Sequence, residues 1–366
     1  MSTIAIPEDF DFCVKFEVPP DYAPPETYED QENCIEYPNI NTSQYRQKPA
    51  EHFLDLLPFY QCLSRNSEGT TIVASNSYNT RRWNGSIFGF DNVDEERPVL
   101  ETREVAFKVS ADSTISDMKF IDDTTFALTE SNGQVTLFST RSVMRETPEN
   151  KYCLFRVGQK TEHRGYANCL EIFHKNPQKM ITGDSYGWLI TWDLGNADLT
   201  STQKIRFAHS DAINDISADP KSEDCFVTAS NDKNLYHFDM RDPRPCTALM
   251  EAHGYQLKSC KHLNDHQLLV GDQKGFAYVV DTKMPKEVLT QKEINDRAVH
   301  KFFVKGENVV ALTDSNRLSV QQFNGKEILT VLDATEAPNF LRSATWINEN
   351  EFYVAGWSNY MQKYKI

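Results

Sequence analysis

Three sets of residues in this 366-residue chain are of the types that do chemistry. His209, Ser230 and Asp232 are the members of a nucleophile, base and orienting-acid set, in which an imidazole steadied by a carboxylate takes the proton of a serine hydroxyl. His262 and His266 stand four apart, which on a helix would put two metal ligands on one face. Eight cysteines, at 13, 34, 62, 153, 169, 225, 246 and 260, supply thiols. The sequence contains no G-x-x-x-x-G-K-[ST] or G-x-G-x-x-G for cradling phosphates, and no G-x-S-x-G nucleophile turn. What the three sets can do depends on the elements that hold them.

Those elements show best between Ile181 and Leu194, which reads as two short strands joined by a tight turn. Asp184, Ser185 and Gly187 supply the turn chemistry, and the following aromatic and β-branched residues suit a half-buried sheet. The stretch closes on Trp192-Asp193, the dipeptide that ends the third strand of a WD-repeat propeller blade. The frame recurs with Phe238-Asp239 and Val280-Asp281 downstream and with Phe138-Ser139 and Phe90-Asp91 upstream, and degenerate copies run from Asp314 to Phe323 and from Gly356 to Tyr364. Seven units therefore end near residues 91, 139, 193, 239, 281, 323 and 365. The expected architecture is all-β, a seven-bladed WD-repeat β-propeller over residues 51–366 preceded by an extended acidic N-terminal arm over residues 1–50.

Within that frame the three sets lose their chemistry. In such repeats a histidine before the first strand, a serine on the second and an aspartate in the next turn form a hydrogen-bonded chain ending on the tryptophan, a buried network that fixes how blades stack. His209, Ser230 and Asp232 fit those positions, so the hydroxyl would lie inside a blade, not in a cleft. Phe238 replaces the tryptophan and removes the last bond of the chain. Trp192, Asp193 and Asp239 complete the expected structural motif. His262 and His266 fall on a strand and a turn and read as separate surface residues. Cys169, Cys225 and Cys260 read as core thiols. The cysteines show no CxxC pair, so neither a disulfide framework nor a zinc site is expected, and a reducing compartment is. The reading is a non-enzyme with no catalytic residue, metal or cofactor.

The arm carries ten acidic residues against three basic ones and seven of the sixteen prolines, including Pro19-Pro20 and Pro24-Pro25, a composition that suits an extended segment. The last unit ends with the chain, so its outermost strand is expected from an N-terminal segment, with His52 to Leu57 as the candidate. Blade one should hold strands at 71–75 and 86–90 joined by a long loop over residues 76–84, with Arg81, Arg82 and Trp83 at its tip. A tryptophan beside arginines on a long loop has the composition of an interface hot spot. Residues 141–152 read as a polar, mobile linker. The net charge of −15 opposes nucleic-acid binding and favours basic partners. No apolar run reaches the ~18 residues that span a bilayer, and the reading is a cytoplasmic and nuclear protein with no membrane contact.

Residues 80–90, Thr-Arg-Arg-Trp-Asn-Gly-Ser-Ile-Phe-Gly-Phe, resemble the first-blade signature of the methylosome WD-repeat protein family, the partner subunits of the symmetric-dimethylating arginine methyltransferase. The stretches 238–245, 271–283 and 340–346 followed by Gly356-Trp357 match the same family in order, so the resemblance covers roughly residues 55–366. It implies a non-catalytic scaffold that binds the N-terminal barrel domain of a type II methyltransferase in a 4:4 hetero-octamer. Arg81, Arg82, Trp83 and Asn84 would insert into the enzyme. Substrates would be Arg/Gly-rich segments such as Sm-protein and histone tails, which an acidic propeller suits. The sequence departs from the family in its acidic arm and in keeping Trp-Asp in one blade only. A second reading comes from Asp239-Met240-Arg241, which fits the Asp-x-Arg box of substrate-receptor adaptors of cullin-type ubiquitin ligases.

Overall fold

The fold was analysed in a computed structural model. It describes residues 59–79, 82–91, 106–147, 150–195, 199–242, 246–334, 337–358 and 360–366. The chain divides into two units, Met1–Leu54 and Asp55–Ile366, and the described residues all lie in the second.

The described residues form seven antiparallel sheets of consecutive strands. Blade one is β1 (Phe59–Arg65), β2 (Thr71–Asn79), β3 (Arg82–Phe90) and β4 (Phe107–Ala111). Blade two is β5 (Ile115–Phe120), β6 (Thr125–Glu130), β7 (Gln134–Thr147) and β8 (Asn150–Thr161). Blade three is β9 (Ala167–Phe173), β10 (Asn176–Asp184), β11 (Leu189–Asp193) and β12 (Thr200–Ile205). Blade four is β13 (Ile213–Ala218), β14 (Cys225–Ser230), β15 (Leu235–Asp239) and β16 (Cys246–Met250). Blade five is β17 (Leu257–His262), β18 (Gln267–Asp272), β19 (Phe276–Asp281) and β20 (Val288–Glu293). Blade six is β21 (Val299–Lys305), β22 (Asn308–Thr313), β23 (Leu318–Phe323) and β24 (Ile328–Ala334). Blade seven is β25 (Leu341–Trp346), β26 (Glu351–Gly356) and β27 (Tyr360–Lys365).

The architecture is a seven-bladed β-propeller. Each blade's innermost strand packs beside the innermost strands of its two neighbours, and β25 packs beside β1 to complete the ring. Burial follows position in the blade. Second strands are covered by blades on both sides, so β14 is buried at every residue and its sequence, Cys-Phe-Val-Thr-Ala-Ser, shows little of the period-2 alternation of a one-sided strand. Outermost strands face solvent, and β12 and β20 are largely polar and exposed. The apolar core is correspondingly split into seven clusters, one between each pair of adjacent blades. The cluster that closes the ring sets Tyr60, Leu63 and Val73 of blade one against Tyr353, Ala355 and Met361 of blade seven.

The third strands of six blades end at the residues the repeat frame predicts. β7 is the exception, because it runs on to Thr147 and pairs with β8 as far as Thr147 opposite Asn150. Most of the expected mobile linker at 141–152 is therefore strand, with an irregular register between Ser142 and Thr147. The expected loop at 76–84 is also a hairpin, with β2 and β3 in unbroken register from Thr71↔Phe90 to Asn79↔Arg82. The expected closing segment, His52 to Leu57, lies outside the described residues.

Candidate functional site

The first-blade hairpin extends three register pairs beyond Asn76↔Gly85, namely Ser77↔Asn84, Tyr78↔Trp83 and Asn79↔Arg82. At ~3.3 Å per residue that is a projection of roughly 10 Å. Its base is fixed to blade two. Buried Asn76 donates through Nδ2 to the Ile115 carbonyl at 2.9 Å and accepts the Ile115 N–H on Oδ1 at 2.8 Å. Gly85 permits the approach, since a Cβ there would come within 2.7 Å of the Ser113 carbonyl oxygen. The hairpin thus has a rigid root. Of the residues expected to bind a partner, Asn84 is exposed, Arg82 and Trp83 are placed by backbone register at the far end, and Arg81 lies outside the described residues.

The hydrogen-bonded chain expected in blade four is present with a different middle member. His209 Nδ1 meets Asp232 Oδ2 at 2.9 Å, but His209 Nε2 meets Thr228 Oγ1 at 2.7 Å. Ser230 is not its partner. The Ser230 hydroxyl donates to the Ala212 carbonyl at 2.9 Å and accepts the Asp232 N–H at 3.1 Å. Strand alternation puts residues 228 and 230 on one face, and Thr228 is the one opposite the imidazole. Burial pushes the Asp232 carboxyl up, and the hydrogen bonds from His209, Ser210 and Asn234 overcome it and hold it at about 2.

Blade three carries the complete chain, which motif reasoning in blade four passed over. His163 Nδ1 meets Asp184 Oδ2 at 3.1 Å, His163 Nε2 meets Thr182 Oγ1 at 2.6 Å, and Trp192 Nε1 donates to Thr182 Oγ1 at 2.8 Å. Asp184 also accepts the N–H groups of Tyr186 and Trp188 across the turn, where Gly187 takes a φ of 74°. The 46-residue offset from His209 to His163 was the available signal, since it equals the spacing of the two blades' third strands. Asp193 and Asp239 stand outside these chains. Asp193 caps its turn by accepting the Gly195 N–H at 2.8 Å. Asp239 holds Arg241 by two bonds, Nε to Oδ1 at 2.8 Å and a second guanidinium nitrogen to Oδ2 at 2.7 Å. Arg241 is thereby committed to its own blade.

His262 is not a surface residue. It is half-buried, meets the Ser217 hydroxyl through Nδ1 at 2.8 Å, and burial lowers it to about 4, while His266 is exposed on the following turn. Cys169, Cys225 and Cys260 are buried free thiols, and burial raises each above the ordinary thiol range.

A polar ring around the propeller axis was missed altogether. Asp117 on β5 pairs with Lys301 on β21 at 2.8 Å. Glu171 on β9 accepts Lys119 at 2.8 Å and Lys261 at 3.0 Å, and Lys261 reaches on to Asp215 on β13 at 3.2 Å. Three carboxylates and three lysines balance. Burial raises Glu171, and Lys119 and Lys261 reverse it and hold the carboxyl far below its ordinary range. Burial lowers Lys301, and Asp117 and Asp215 reverse it and hold the ammonium well above. Asp117 and Lys301 line both a cavity of about 380 Å³ and one of about 250 Å³, so the pair lies between the two. All six charges have partners, and the arrangement braces the blades.

A second tie repeats around the ring. A polar side chain early in one innermost strand accepts a backbone N–H from the next blade: Leu170 N to Asp117 at 3.3 Å, Cys260 N to Asp215 at 3.1 Å, Phe302 N to Ser259 at 3.1 Å and Leu63 N to Ser343 at 2.9 Å. The last of these joins blade seven to blade one.

No protein-family model matches the chain. It is 22% identical to Protein valois of Drosophila melanogaster over 364 residues, covering 96% of this chain and 97% of that protein. It is 23% identical to Methylosome protein WDR77 of Xenopus laevis over 307 residues, covering 80% and 85%. The chain is a distant homologue of both proteins, the second of which is named as a methylosome protein. The similarity to Protein valois runs over nearly the whole of both chains, as expected when an entire ring, and not one repeat, is shared.

Proposed function

We propose that this protein is a non-catalytic scaffold subunit of a protein arginine methyltransferase complex. The observation that carries the reading is the co-linear similarity to Methylosome protein WDR77 over 80% of the chain, joined to a first-blade hairpin that projects from a fixed root. The hairpin tip, with Arg81, Arg82, Trp83 and Asn84, is the contact to a type II, symmetric-dimethylating enzyme. A 4:4 assembly acting on Arg/Gly-rich Sm-protein and histone tails belongs to the same reading, and the net charge of −15 supports it by concentrating cationic segments near the propeller. The side chains organised in the interior serve blade stacking, which supports a binding role over a catalytic one.

The test is affinity capture from cell extract with wild type and Trp83→Ala, partners being identified by mass spectrometry. Wild type is expected to retain an arginine methyltransferase, and the variant, folded by circular dichroism, to lose most of it. Absence of the enzyme from both captures would overturn the reading. Arg241→Glu tests the ubiquitin-ligase alternative, and the pairing of Arg241 with Asp239 predicts no loss of partner from it.

A further inference from the structure

Three neighbouring segments on one face of blades three and four carry an aromatic and cationic surface that no interior role explains. The loop entering β9 supplies Arg164 and Tyr166, the turn between β10 and β11 supplies Tyr186 and Trp188, and the loop entering β13 supplies Arg206 and Phe207. Backbone bonds knit the three together: Ser185 N–H donates to the Tyr166 carbonyl at 2.9 Å, and His209 N–H to the Gly187 carbonyl at 3.2 Å. Phe207 is 70% exposed, Tyr166 61% and Tyr186 53%, whereas most other aromatics among the described residues pack between blades. A cluster of this kind marks an interaction site where a single exposed aromatic would not.

Its cations are held ready for a ligand. The Arg164 guanidinium lies 5.4 Å from the Tyr186 ring centre and that of Arg206 lies 5.3 Å from Trp188, whose ring meets Phe207 edge-on at 6.0 Å. Both arginines are exposed, and a guanidinium over a ring face keeps its in-plane N–H donors free for a ligand. Neither arginine has a carboxylate partner among the described residues. Glu162 is paired with Lys204 at 2.8 Å, Asp184 with His163 and Asp232 with His209, while exposed Asp211 accepts the Ala212 N–H and meets neither arginine. Trp188 Nε1 is buried and has no acceptor among the described residues. The contrast within the same molecule is Arg342, which also stacks on aromatics, Phe340 and Trp357, but is paired with Asp314 at 2.6 Å.

We infer that the Arg164–Arg206 patch docks an acidic peptide segment of a partner protein, whose carboxylates take the two guanidinium forks and whose apolar residue packs on Phe207 and Tyr166. Charge complementarity chooses this occupant. Two free guanidinium groups suit two carboxylates bidentately. They are too few for the multiple phosphate contacts of a nucleic acid, which the −15 of the chain would also repel. The patch is equally unsuited to an Arg/Gly-rich tail of like charge, so it is a separate surface from the one that presents cationic substrates.

Fluorescence anisotropy on the full chain tests it. The probe is a fluorescein-labelled 12-residue peptide of three Asp-Glu-Phe-Gly repeats, with a Lys-Lys-Phe-Gly peptide and a 12-nucleotide oligo-dT as controls. The acidic peptide is expected to bind and to weaken with salt. Arg164→Glu/Arg206→Glu should lose at least about tenfold in affinity and Phe207→Ala about fivefold. All three side chains are exposed, so thermal midpoints should stay within about 2 °C of wild type. The inference is overturned if the acidic peptide fails to bind wild type, if the charge-reversal variant binds it equally, or if oligo-dT competes as well as the peptide.

Discussion

Replacing Lys301 by methionine removes the ammonium that neutralises Asp117 in the channel ring and keeps most of the side-chain volume. The Asp117 side chain is 6% exposed and Lys301 18%, so the pair is largely desolvated. Breaking a buried pair from one side costs about 3–5 kcal/mol because the other charge is stranded. Asp117 retains the Leu170 and Met118 N–H donors at 3.3 and 3.0 Å, which places the expected loss near the low end, about 3 kcal/mol. Adding Asp117→Asn removes the stranded charge and keeps an acceptor for Leu170, so the double variant should recover most of that loss, with a coupling of about 2 kcal/mol or more. Urea unfolding followed by tryptophan fluorescence measures all four proteins, with m held equal so that midpoints report stability. A Lys301→Met loss under about 0.5 kcal/mol, or a double variant no better than the single, would refute the ring as a bracing element.

Thr182→Val should cost more than Thr228→Val in the same assay. The first strands both His163 and Trp192, at about 1–3 kcal/mol per buried unsatisfied group, and the second strands only His209, because Phe238 offers no donor. Stability should fall as pH drops from about 6.5 through 4. Burial depresses His262 to about 4 and His300 to about 3, so the folded state binds fewer protons than the unfolded one over that window, at up to about 1.4 kcal/mol per pH unit per group. His262→Gln should flatten the upper part of that slope. Asp232, depressed to about 2, contributes stability that is full above ~4 and lost between there and 2. Ser343→Ala should raise hydrogen exchange at the Leu63 amide, whose acceptor it removes, while the amide of Phe302, tied by Ser259, stays protected.

The repeat was legible because each blade restates the same turn chemistry. Gly187 takes a φ of 74° in such a turn, whereas Gly271 and Gly356, expected in turns, lie in the paired strands β18 and β26, and the third strands of six blades fall where the frame puts them. The channel ring was illegible for the opposite reason. Asp117, Glu171, Asp215, Lys261 and Lys301 are ordinary polar residues on alternating strands, and only closure of the ring brings Asp117 to Lys301 across 184 positions of sequence. Ser230 and Thr228 differ by one strand period and share a face, so pattern cannot choose between them, and only the position of the imidazole in the folded blade does. The hairpins β2–β3 and β7–β8 were read as a loop and a linker because their outer residues lack the alternation of a half-buried strand. Pairing there is carried by backbone hydrogen bonds, which leave little trace in residue type.

Calorimetric titration of a purified symmetric-dimethylating arginine methyltransferase with wild type and Trp83→Ala tests the scaffold assignment most directly. The account predicts 1:1 binding of subunits by wild type and an affinity at least about thirtyfold weaker for the variant, as for the loss of a buried tryptophan anchor worth ~2 kcal/mol or more. Equal affinities would contradict the hairpin as the contact, and no binding by wild type would contradict the assignment itself.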